Sequence, residues 1–196
     1  PMITENVYLS SSDKACINGG KPPQRMDIGQ IEEAQDLFVQ AALRAEKAGF
    51  DLVELQFGHG HLVAQFLSPS VNDRGDEYGG SEENRFRFGL QVLENVKEAC
   101  TIPVMVRVSG EEMFPGGFGL DEMIRFCKAL EATGAAAIHV SSGSICETPP
   151  WYFQHMAVPK GKTWEMASKI RAEVGIPVVA VGQINEKEDA IKILDG

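Results

Sequence analysis

Between positions 28 and 48 the apolar residues Ile31, Ala34, Leu37, Phe38, Ala41, Ala42 and Ala45 recur three or four apart. That spacing collects them on one face of a helix. Gly49 stops it, and DLVEL follows, a short β-rich run suited to a strand buried against helices on its outer side. The same order returns three times. A helix over about 84–99 precedes PVMVRVS, one over 121–133 precedes AAAIHVS, and one over 163–174 precedes PVVAVG; a last helix is predicted over 186–194. The expected division is an irregular leading segment at 1–27 and a single α/β unit at 28–196.

Strand and helix alternation fits two architectures, the doubly wound open sheet and the (β/α)8 TIM barrel. Neither a GxGxxG turn nor a GxxxxGK[ST] loop follows any of the strands, which removes the usual warrant for a nucleotide-binding open sheet. The barrel is therefore expected. A complete one takes about 250 residues and eight strands, whereas four clear strands are legible here. The chain is expected to supply about half a barrel, cut from within a longer protein.

Composition narrows the function. A net charge of −10 argues against phosphate-backbone binding as the main role and favours a small-molecule enzyme. No apolar run reaches the roughly 20 residues that cross a bilayer, and the start lacks a signal peptide's basic and apolar regions. A cytoplasmic protein with neither nucleic-acid nor membrane partners is expected. Cys16, Cys100, Cys127 and Cys146 show no CxxC spacing and are read as reduced thiols.

In a barrel the chemistry lies where strands end. Here those ends carry Gln56–His61, Arg107–Ser109, Ser141–Gly143 and Val181–Gln183. Side chains alternate along a strand, so Val104, Val106 and Val108 meet the helices while Met105, Arg107 and Ser109 face inward. An inward arginine is costly without an anionic partner. Glu54, inward by the same alternation, can supply one, and an anionic ligand is the other choice.

The run ELQFGHGHLVAQFLSPSVNDRGDEYGGSEENRFRF resembles the signature of the old yellow enzyme family, the FMN-dependent NADH:flavin oxidoreductases, with 2,4-dienoyl-CoA reductases in the most similar branch. Arg74, Asp76, Tyr78, Gly79, Gly80, Ser81, Asn84 and Arg85 match its RxDxYGGSxxNR stretch position for position, and similarity continues through VMVRVSG, IHVSSG, PKG and PVVAVGQI. The resemblance implies a TIM barrel of which this chain forms strands four to seven. It implies FMN as cofactor, NAD(P)H as reductant and an electron-poor small molecule, such as an activated alkene, as substrate. It places Arg107 beside the flavin N1/O2 edge and Gly182 where backbone approaches the cofactor, with Ser141, Ser142 and Gly143 along the pocket. The family's HxxHGY or HxxNGY motif falls on Gln56, His59 and His61. Gln56 and His59 are then the hydrogen-bond donors to substrate, and His61 replaces the usual tyrosine proton donor or merely lines the pocket while solvent supplies the proton. An iron–sulfur cluster in the parent protein, held outside this chain, is left open.

Two other readings remain. A half barrel lacking the family's first and eighth strands could be an inactive fragment unable to bind FMN, prone to pair with itself or with the remainder of the barrel. His59 and His61 could also begin the ligand set of a metal-dependent hydrolase, although the later strand ends offer arginine, serine and glycine where a metal needs more His, Asp or Glu. No metal is expected. His139 reads as a satisfied core residue, His155 as part of the PPWYFQHMAVP loop, PPWYFQ as a substrate-facing patch or lid, and FPGGFG as a turn.

Overall fold

The computed structural model describes residues 2–4, 7–17 and 19–195. The leading segment, expected to be irregular, carries three short strands: β1 (Met2–Thr4) pairs antiparallel with β2 (Val7–Ser10), and β2 pairs parallel with β3 (Gln24–Arg25). Strands this short show no alternation that a sequence pattern could reveal. Helix α1 (Ile28–Lys47) follows, opened by a capping box in which the Asp27 side chain accepts from Gln30 N while Gln30 Oε1 accepts from Asp27 N. Ile31, Ala34 and Ala42 of its apolar stripe are buried, whereas Leu37 is left exposed.

Next come β4 (Val53–Gln56), α2 (Leu62–Leu67), α3 (Glu82–Ala99), β5 (Val104–Ser109), α4 (Leu120–Thr133) and β6 (Ala137–Ser141). The chain continues with α5 (Pro149–Tyr152), α6 (Lys162–Arg171), β7 (Val178–Ala180) and α7 (Lys187–Asp195). The long helices agree with their predicted positions. The short α2 and α5 were not predicted, because one or two turns are too few to display a 3.6-residue period.

Strands β4, β5, β6 and β7 form one parallel sheet in chain order. Leu55, Val104, Val106, Val108, Ile138 and Val140 point to one face and join the core under the helices. The other face carries Glu54, Met105, Arg107, His139 and Val179, all half-buried or exposed. This is a curved wall of four βα units, the architecture of half a TIM barrel with its inner face open.

Cysteine usage departs from expectation. Cys16 and Cys146 form a disulfide that spans 130 residues of sequence, with Cα atoms 5.4 Å apart, while Cys100 and Cys127 are free and buried. The pairing depends on the leading segment folding back over the loop after β6, which spacing does not reveal. Among the described residues no helix is long and apolar enough to cross a membrane.

Candidate active site

The C-terminal ends of β4, β5 and β6 are drawn together around His59. Its backbone has φ +64°, a left-handed conformation that is uncommon outside glycine and that accumulates at functional sites. Gly58 makes this turn possible: a Cβ there would lie 2.7 Å from Ser109 N. His59 N donates to Ser109 Oγ at 2.9 Å, and Ser109 Oγ donates to Gly143 O at 2.8 Å. The His59 carbonyl accepts from Ile145 N, which ties the β4 turn to the loop after β6.

Both ring nitrogens of His59 are engaged. Nε2 lies 2.5 Å from Ser141 Oγ and Nδ1 lies 3.4 Å from Gln56 Nε2. The amide nitrogen of Gln56 can only donate, so Nδ1 accepts and Nε2 carries the proton toward Ser141. Burial, followed by the positive field of Arg107, pushes the His59 pKa down to about 3, so the ring is neutral at physiological pH. The Tyr152 ring stands edge-on to it at 4.7 Å, so the PPWYFQ segment forms a cover over His59.

His61 sits at the N-cap of α2 without a side-chain capping bond, its ring centroid 6.3 Å from that of His59. Burial holds its pKa below the ordinary histidine value. Gln56, His59 and His61 are thus brought together. Among the described residues no group of three or more His, Cys, Asp or Glu is placed to hold a metal ion.

Arg107 lies opposite Gln56 across the β4–β5 register. Of the two partners weighed for Arg107, the Glu54 ion pair is not formed. Glu54 Oε2 instead meets His139 Nδ1 at 2.6 Å, reaching past β5 to β6. His139 is correspondingly not a satisfied core residue. Its Nε2 and the Nε of Arg107 are the two buried side-chain polar atoms that lack a hydrogen-bond partner among the described residues. Strand order and register decide this exchange of partners, and neither is legible in a single sequence. Ser109 was likewise missed as a positioning residue, although its parity with Arg107 pointed it inward.

The remaining predicted positions lie along the same rim. Ser141 and Ser142 are buried, and Ser142 Oγ accepts from Gln154 Nε2 at 2.6 Å. Gly143 has φ +73°, and a Cβ there would meet Trp151 at 2.7 Å. Gly182 has φ +96°, its carbonyl accepts from Trp164 Nε1 at 2.7 Å, and a Cβ would come within 2.3 Å of Gln154 Oε1. Behind the rim, a cavity of about 530 Å³ is bounded by Tyr8, Gly60, Glu112, Phe114 and the Cys16–Cys146 disulfide.

This donor set fits the FMN implied by the sequence resemblance. An inward guanidinium with an unpartnered Nε is suited to an electron-rich ring edge, and strand-end glycines leave room where side chains would obstruct.

Comparisons with known proteins agree. The model of the NADH:flavin oxidoreductase / NADH oxidase family matches residues 5–196. The chain is 40% identical to an NADH oxidase of Thermoanaerobacter brockii over 99% of its own length and 30% of the relative's. It is also 40% identical to an NADPH dehydrogenase of Bacillus velezensis, covering 89% of this chain and 50% of that protein. Among solved structures, histamine dehydrogenase from Rhizobium sp. 4-9 superposes with a TM-score of 0.83 at 30% identity, over 97% of this chain and 28% of that one. Morphinone reductase in complex with tetrahydroNAD gives 0.74 at 25% identity, over 95% and 52%. The chain thus spans about half or less of the length of these relatives.

Proposed function

The chain belongs to the NADH:flavin oxidoreductase / NADH oxidase family, and from that premise we propose that it forms the central wall of an FMN-dependent oxidoreductase of the old yellow enzyme type. The reaction is hydride transfer from NAD(P)H through the flavin to an activated alkene, such as an enoate, enone or enoyl thioester, or a related acceptor. FMN, when bound, supplies the centre that receives and passes on hydride. The roles that follow are those of side chains in this wall.

Arg107 would hold the pyrimidine edge and stabilise negative charge that develops there. Gly182 admits close backbone approach, and Ser141, Ser142 and Gly143 line the same pocket. Gln56 and His59 would polarise the acceptor's electron-withdrawing group. The Gln56 amide nitrogen has a second N–H beyond the one turned to His59, whereas His59 must exchange Ser141 for substrate, and its neutral state suits a donor that does not give up its proton. His61 stands next to them as the candidate proton donor to the adjacent carbon. The Tyr152 edge excludes water from the His59 face.

One observation supports the reading most: the buried, unpartnered Nε of Arg107 on the inner face, level with Gln56. Leaving such a group unsatisfied costs about 1–3 kcal/mol, more when it is charged, so a ligand is expected. The inner face, with Leu52 46% and Val179 38% exposed, would be covered by the remaining half of the barrel or a second copy of the chain.

The test uses the full-length protein. It should bind FMN stoichiometrically and be bleached by NAD(P)H under anaerobic conditions, and Arg107→Leu should retain FMN at least tenfold more weakly. A full-length protein that binds no FMN, or whose affinity ignores Arg107, would overturn the reading.

A further inference from the structure

The roles assigned above leave the Glu54–His139 pair unused. Glu54 on β4 holds Nδ1 of His139 on β6 at 2.6 Å, so Nδ1 carries the hydrogen and Nε2 is left as the basic nitrogen. A carboxylate on one ring nitrogen raises the basicity of the other. That other nitrogen is buried and has no partner among the described residues. The β5–β6 register sets His139 opposite Arg107, so both unpartnered nitrogens belong to the same inner face.

The charged surroundings are mixed. Glu54 from β4 meets His139 Nδ1, and Arg107 from β5 stands opposite His139 in the register. His59, at the end of β4, is near enough to interact with His139 and is itself neutral. The β7 residue opposite is Val179, which does not titrate. What tips the balance is any negative charge that arrives beside Arg107.

We propose that Glu54–His139 is a proton-uptake site coupled to reduction of the bound cofactor; the inference rests on the FMN reading given above. Hydride from the nicotinamide delivers two electrons and one proton, and leaves one negative charge on the ring system. His139 Nε2 takes one further proton from solvent, forming an imidazolium held by Glu54, so the net charge of the site does not change. When the hydride passes to the acceptor, that proton returns to solvent. His139 touches neither nicotinamide nor acceptor in this scheme; it sets the reducing power of the site and its pH dependence.

The experiment is spectroelectrochemical titration of the FMN-loaded full-length protein across neutral pH, with the reduced absorption spectrum recorded at each step. The expected result is a pH slope of the midpoint potential corresponding to two protons per two electrons, with an anionic reduced spectrum. His139→Gln and Glu54→Gln should each halve the slope to one proton per two electrons while FMN remains bound. A one-proton slope in the unaltered protein overturns the inference without recourse to any variant. So does an undiminished slope in either variant, or a neutral reduced spectrum that accounts for the second proton. Failure to bind FMN at all would instead defeat the functional reading itself, and is seen before any potential is measured.

Discussion

His59 and His61 are two residues apart and have separate chemistry. His59 is locked by Ser109, Ser141 and Gln56 and stays neutral down to about pH 3. His61 has no cap bond, is half-buried, and has a pKa lowered chiefly by burial. Only the imidazolium of His61 is acidic enough to protonate carbon, and a lowered pKa means that this form grows as the solution becomes more acid. If His61 is the donor, acceptor-dependent reoxidation of the flavin should accelerate as pH falls toward that pKa and level off below it. His61→Phe should be slower by about 10²–10⁴-fold, the usual contribution of general acid catalysis, and should lose this pH dependence. Stopped-flow reoxidation across pH checks it, and an unchanged profile in the variant assigns the proton to solvent. Strand parity turned Gln56 and Arg107 inward, and the family resemblance pointed to His59 and His61. They could not show that Glu54 chooses His139 over Arg107, because that choice is made across three strands whose order and register exist only in the fold.

At the scale of elements, the most specific part of the sequence signature proves to be a clasp. Arg74, whose side chain is 3% exposed, pairs with Asp76 at 2.5 Å and donates to Met26 O at 2.7 Å, so it anchors the leading segment just before α1. Gly79 has no room for a Cβ, which would sit 2.4 Å from Arg74 O. Ser81 caps α3, and Arg85 donates to Leu67 O and Gly80 O while pairing with Glu122 of α4. The run therefore joins α2, α3, α4 and the chain leading into α1 without entering the site. Arg74 is buried but Asp76 is 39% exposed, so solvent screens the pair, and Asp76→Ala should destabilise the protein by about 1–2 kcal/mol. Urea denaturation with FMN held constant measures it, and a change within experimental error would show that the clasp is not needed for stability. The long helices were legible because each presents several turns of apolar stripe and a cap. The three leading strands and the Cys16–Cys146 link were not, since they depend on contacts made by a segment with no periodicity of its own.

For the molecule as a whole, two buried groups make stability depend on pH in opposite directions. The Glu112 carboxyl accepts from Ser68 Oγ at 2.7 Å and Phe118 N at 3.0 Å, and burial pushes its pKa up from 4.5 to about 7. Between those values the unfolded chain has lost a proton that the folded chain keeps, so Glu112 makes stability fall as pH rises from 4.5 to about 7. His59 does the reverse. Its pKa falls from 6.5 in the unfolded chain to about 3, so the unfolded state binds the extra proton and stability rises with pH across that range. Stability should therefore climb with pH below 4.5, where His59 is joined by carboxylates held low such as Asp76, and climb less steeply from 4.5 to 6.5, where Glu112 opposes His59 and His61. Glu112→Gln separates them. A glutamine carbonyl can accept from both Ser68 and Phe118, so the packing is kept while the titration is lost. At about 1.36 kcal/mol per pKa unit, the variant should match the unaltered protein near pH 4. It should exceed it by about 3 kcal/mol at about pH 8, where the unaltered protein must keep a buried carboxylate. Urea unfolding of the two full-length proteins over this range measures the gap; curves that run parallel would show that Glu112 does not hold its proton in the folded state.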